Sequence, residues 1–329
     1  MPIAKIARVK DPPRPRHPAP PRFNAQMDLN GSRLYLTSPE TLDTETREIQ
    51  RERLRLHIQT LESLVKGWEG QQLSETQLAV LRVSVFRHFQ YSSATEDFFL
   101  PMSPENFRRM SVDNDDRPQW ENKRLKRSSD HNGKRYRRLP NSLRKRVSYL
   151  ATCFFRETHI TRISADGEVQ ARLATLSGWK WLMDYTPTYH SRVYGRDGWN
   201  CEQAWAPLED HRPHFKAMIW TAAEAVDGQP LRSEMLAVLG IMLERMNTPS
   251  LRHHVVIPVL LVSIVGPQHG RILGAYFDGG NLIVQMSDLV PLSPEEPEPM
   301  AFLLWWWAAQ CDSFSSTKRL PWDEKRPLA

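Results

Sequence analysis

The sequence predicts an α+β protein, with an N-terminal helical hairpin followed by C-terminal helices and a small three-stranded antiparallel meander. Three observations predict it. Leu54, Ile58, Leu61, Val65 and Trp68 recur at spacings of four and three, the period of one helical stripe. The run Val255–Val265 (VVIPVLLVSIV) is apolar and rich in β-branched residues, as suits a strand buried on both faces. Two turn sequences, GPQHG and DGG, then set off RILGAYF and NLIVQM as further strands.

In chain order, residues 1–37 are rich in Pro and Arg and lack periodicity. Too little apolar surface is present there to offset the entropy of ordering, so a disordered arm is expected. Residues 38–91 form the expected hairpin. Its first helix ends at Gly67 and Gly70; Ser74 and Gln77 make a capping box, with Leu73 and Leu78 at the staple positions, and the second helix runs to about Tyr91. The stripe is too short for a coiled coil and reads as one face of a globular core.

Residues 92–140 are polar and basic and read as a linker. An α+β domain is expected over residues 141–312. It opens with a helix from Pro140-Asn141 whose Leu143, Val147, Leu150 and Phe154 share a face, then a strand near Thr158–Ile163 and a helix over Val169–Asp184. Residues 185–212 read as a loop. A helix follows from Pro213, with Phe215, Met218, Ile219, Ala222 and Val226 on its face, and then a buried helix from Ser233.

After the meander comes an apolar helix, AFLLWWWAAQC, and residues 313–329 read as a flexible tail. Trp305, Trp306 and Trp307 point in three directions on that helix. A small core cannot take all three, so they are a candidate interface, beside the favoured alternative of a helix pressed into a groove of its own body.

Cys153, Cys201 and Cys311 are odd in number and far apart, so a reducing compartment is expected. The N-terminus is basic but has no apolar h-region, and its prolines oppose an amphipathic presequence. No run approaches the ~18–20 apolar residues of a membrane helix. The expected location is nucleus or cytoplasm, neither secreted nor in a membrane.

Charge is unevenly spread. The net charge is +6, yet Lys123–Arg146 holds eleven bases against Asp130 alone, and residues 1–40 hold seven bases against three acids, which leaves the remainder at −8. Within the basic run, Lys123, Arg124, Lys126 and Arg127 form one cluster and Lys134, Arg135, Arg137 and Arg138 a second, the layout of a bipartite import signal. Like charges at this density keep a segment solvated. The same cations could neutralise phosphates in a salt-dependent and sequence-indifferent way, since Tyr136 is the only aromatic among them. Ser129 follows Lys126-Arg127-Ser128 and is a candidate phosphosite, where about −1.5 to −2 of added charge would oppose either use.

The order of elements over Leu231–Cys311, helix, three antiparallel strands and helix, resembles the PD-(D/E)XK nuclease core. That resemblance implies an acid on the second strand and an acid-x-Lys on the third, holding a divalent metal. Asp278 stands for the first acid. Gln285, Met286 and Ser287 occupy the other positions, so the resemblance implies at most a degenerate, inactive nuclease-like core, and the residues themselves read as a buried structural core. The GPQHGRI turn with its flanking strand and hairpin also resembles a group of uncharacterised filamentous-fungal proteins, a resemblance that brings no activity with it.

His190, Cys201, His211 and His214 are a candidate zinc set, but the cysteine spacing fits no standard finger. There is no G-x-S-x-G, C-x-x-C, H-E-x-x-H, P-loop or dinucleotide fingerprint, so no catalytic residue and no cofactor is assigned. The reading is a non-enzymatic nuclear or nucleocytoplasmic interaction protein with a protein partner. The alternative is a nucleic-acid-associated protein built on the nuclease-like core.

Overall fold

The computed structural model describes residues 39–87, 89, 98–110, 143–164, 166–167, 169–182, 199–293, 298–312, 317–318 and 320. The expected N-terminal arm, the segment Lys123–Arg138 and most of the expected tail lie outside these residues. From Glu40 onward the chain forms one compact unit.

The helical stripe predicted near the N-terminus forms α1 (Pro39–Gly67), which buries Leu54, Ile58, Leu61 and Val65. Next, α2 (Glu75–Val80) starts at the Ser74–Gln77 capping box: Gln77 N donates to Ser74 Oγ at 3.2 Å, and Ser74 N to Gln77 Oε1 at 2.9 Å. Here the helical hairpin fails. Arg82 takes φ +52°, and the chain continues as strand β1 (Val83–Arg87) instead of a helix to Tyr91. The VSVF sequence, with its β-branched alternation, favours the strand. Short elements follow in what had read as linker: β2 (Phe99–Leu100), with Phe99 buried, and α3 (Pro104–Arg109), capped by Ser103.

The predicted helix over Leu143–Phe154 forms α4 (Leu143–His159), which buries Val147, Leu150 and Phe154. Then come β3 (Thr161–Ile163) and β4 (Gln170–Arg172), which pair with each other, the single turn α5 (Leu173–Leu176), and β5 (Trp179–Trp181). Among the described residues, the helix expected over Val169–Asp184 is reduced to the single turn α5 between two strands. The loop expected over 185–212 contains β6 (Trp199–Pro207), and the helix expected from Pro213 is β7 (Phe215–Glu224).

That last correction has a physical cause. A strand covered on both faces reads as a continuous apolar run, which periodicity cannot separate from a buried helix. All but two of the ten residues of β7 are buried.

After α6 (Arg232–Met246) come β8 (Val259–Gly266), β9 (His269–Phe277) and β10 (Leu282–Met286), then β11 (Val290–Pro291), α7 (Glu298–Trp307) and β12 (Gln310–Cys311). The expected meander is not a small separate sheet. Its strands are the middle of an eight-stranded mixed sheet ordered β1-β10-β9-β8-β7-β6-β5, with β11 also on β9. Two pairings are parallel, β1 with β10 and β7 with β8. The second is bridged by α6, as a parallel pair requires a long crossover.

Register shows how the sheet is covered. Lys216, Leu260, Gly274 and Gln285 form one row across four strands. Beside that row, a Cβ on Gly274 would lie 2.8 Å from the Phe89 ring, and one on Gly270 would lie 2.7 Å from Leu303 of α7. The row Ile219, Ser263 and Arg271 faces the other way, where Arg271 meets Glu234 of α6. So α4 and α7 cover one face, while α1 and α6 cover the other.

Candidate functional site

Two sequence-predicted groups, the basic clusters from Lys123 to Arg138 and Ser129, lie outside the described residues. The basic run does end within them. Arg144 and Lys145 are exposed on the first turn of α4, which carries no acid. Cations here oppose the helix macrodipole at a cost of some ~0.3–1 kcal/mol each. The Arg144 guanidinium sits 5.9 Å over the Trp220 ring, and Trp220 Nε1 donates to Glu202 Oε2 at 3.1 Å.

Asp278, which stands for a metal-binding acid in the nuclease layout, is a turn residue here. Its Oδ1 accepts from Gly280 N at 2.9 Å and Asn281 N at 2.8 Å, closing the hairpin between β9 and β10. Just past the third strand, the Ser287 hydroxyl accepts from Ile272 N at 3.0 Å and donates to Asp288 O at 2.8 Å. No group of three or more His, Cys, Asp or Glu among the described residues could hold a metal ion.

The zinc set is not brought together. His190 lies outside the described residues, His211 is exposed beside Glu209, and Cys201 and His214 are separately placed on β6 and just before β7.

The three tryptophans of α7 are all buried within the chain, as the alternative of a helix pressed into its own body expects, and they offer no exposed interface among the described residues. Each of the three directions is covered from within the chain. Trp305 Nε1 donates to Met102 O at 2.8 Å, Trp306 meets Phe89 edge-on at 4.6 Å, and Trp307 lies 4.8 Å from Trp205 and 5.7 Å from Phe154. The core is simply larger than the small meander allowed.

The sequence reading missed the most unusual group in the body, Lys216 on β7. Its side chain is fully buried. Nζ donates to Trp307 O at 2.6 Å and to Ala309 O, and it lies 4.0 Å over the Trp179 ring. Trp179 Nε1 donates to the same Ala309 O at 2.9 Å. Burial pushes the amine well below the ordinary lysine value. The available signal was a lone cation inside HFKAMIW, a run otherwise apolar from Phe215 on.

Around Lys216 the other titratable groups are also desolvated. Burial raises the Cys311 thiol to about 11, opposed by Lys216 and Arg212. Burial lowers His214 to about 3, helped by Arg212 and His254, and neither ring nitrogen has a hydrogen-bond partner among the described residues. His254 is lowered to about 4, again chiefly by burial, and its Nδ1 lies 2.6 Å from Thr317 Oγ1. With Nζ spent on two carbonyls and a ring face inside the chain, the amine is placed for packing and not for chemistry. Lys216 acts as a strut, tying the end of α7 to the sheet.

No family model, curated protein or solved structure matches this chain. Among the described residues, no helix is long and apolar enough to cross a membrane.

Proposed function

We propose that this chain is a non-enzymatic nuclear or nucleocytoplasmic interaction protein whose basic segment, Lys123–Arg138, is read by an import carrier. The observation that carries the reading is the separation of charge: eleven bases against one acid over Lys123–Arg146, beside a remainder that is net acidic. Support comes also from where the run meets the body. Arg144 and Lys145, the last part of the same basic run, are exposed on α4.

The test is the distribution of a tagged full chain against one lacking Lys123–Arg138. Nuclear accumulation of the first and its loss in the second is the expected result. An identical distribution of the two would remove the proposal.

A second reading, direct nucleic-acid contact, is favoured by the same exposed cations of α4. It predicts retention on DNA that falls steeply with salt, because each neutralised phosphate releases counterions. Retention that does not change with salt would count against it.

A further inference from the structure

We infer that the junction between the end of α1 and the start of α6 is a seat for a small oxyanion of the phosphate class. A groove of about 390 Å³ opens there, lined by Lys66, Trp68, Thr221, Arg232 and Ser233 among others. This site is independent of the import reading.

The first observation is a helix start whose N-cap residue offers no side-chain acceptor. The N-cap of α6 is Leu231, which has no side-chain oxygen and makes no side-chain cap hydrogen bond. First-turn N–H groups have no intrahelical acceptor, and that of Ser233 is among them. The N–H of Arg232 is already used by Gln71 O at 2.8 Å, and that of Leu231 by Glu234 Oε2 at 2.7 Å. A helix start of this kind favours an anion both through its N–H groups and through its dipole.

The second observation concerns a side chain and not the backbone. Ser233 lines the groove, is 6% exposed, and its hydroxyl has no hydrogen-bond partner among the described residues. A buried hydroxyl left without a partner costs about 1–3 kcal/mol, which an oxyanion acceptor would relieve. Beside it, Thr221 Oγ1 accepts from Ala223 N at 3.2 Å, which leaves its own proton to donate.

Charge at the groove is balanced by position. The Arg232 guanidinium is held by Val65 O at 2.8 Å and Lys66 O at 2.7 Å, so it closes the end of α1 while its charge remains at the site. Lys66 lies 2.9 Å from Glu62, and Glu69 also lines the groove. The Glu234 carboxylate is occupied by Arg271 and the Leu231 N–H. The hydroxyls and the helix start line the same groove as Lys66, whose ammonium is shared with Glu62.

The experiment is titration of the purified full chain with inorganic phosphate at constant ionic strength set by chloride, read by calorimetry and by ³¹P line broadening. Saturable binding of one phosphate is expected, weakened about ten-fold or more by Ser233→Ala and by Lys66→Met, in line with losing one charge-assisted hydrogen bond. Lys66 is substantially exposed, so its variant keeps the test valid if Ser233→Ala folds poorly. Deletion of Lys123–Arg138 is expected to leave the affinity unchanged, which separates this seat from attraction to the basic segment. Absence of phosphate binding above the chloride background overturns the assignment. So does binding that survives Lys66→Met unaltered or vanishes with the basic segment.

Discussion

Glu234 of α6 and Arg271 of β9 form a two-pronged ion pair in which both side chains are fully buried, with contacts of 2.8 and 2.5 Å. The rest of the guanidinium is also used, donating to Val226 O at 3.2 Å and Gln229 O at 3.0 Å. The pair fastens α6 and the turn before it to the sheet. Desolvating two charges is costly, and the attraction repays it only because nearly every donor has an acceptor.

Removing one partner should thus be far worse than removing both. Arg271→Met is expected to cost about 3–5 kcal/mol, because Glu234 is left as an uncompensated buried charge. The double change Glu234→Met with Arg271→Met should recover much of that loss. Urea unfolding of the three proteins checks it, and a double variant no better than the single one would refute the account.

Acid should weaken the fold through His214. Its pKa is about 3 in the folded chain against roughly 6.5 when unfolded, so the unfolded state binds more protons between those values. Stability is then lost as pH falls from about 6.5 toward 3, at up to about 1.4 kcal/mol per pH unit for this group. His254 acts in the same direction down to about 4. A His214→Leu protein should lose less stability between pH 7 and pH 4.5 than the parent. Parallel losses in the two would mean that His214 does not stay neutral.

Lys216 gives the corresponding effect at alkaline pH. Its folded pKa is depressed, so stability from this group is complete above the unfolded value near 10.4 and declines as pH falls below it. Lys216→Met should therefore gain on the parent as pH drops from about 10 to 7. If the difference between the two stays flat over that range, the amine is charged in the fold, held by the two carbonyls and the Trp179 face.

What was legible in the sequence was local. The α1 stripe, the Ser74–Gln77 cap and the strands on either side of Gly279 depend on neighbours within a few residues, and each is present. What was not legible depends on distant neighbours. FKAMIWTAAE is a strand because helices cover both faces of its sheet, and VSVF is one because β10 lies beside it. Lys216 was passed over for the same reason. Its acceptors, Trp307 O and Ala309 O, are 91 and 93 residues further along, and no spacing rule links them. Asp278 shows the converse: a carboxylate at a suggestive place was fully explained by the turn it closes.

The parallel pairing of β1 with β10 sets Val83 beside Leu282, and Leu282 N donates to Arg82 O at 3.0 Å. During synthesis the early strand must wait for nearly the whole remaining body to emerge before its neighbour exists. Such distant closure is slow and leaves a strand edge open to other chains in the meantime. A ribosome that stalls before Leu282 therefore releases a product with VSVF unpaired, one suited to chaperone capture or to aggregation.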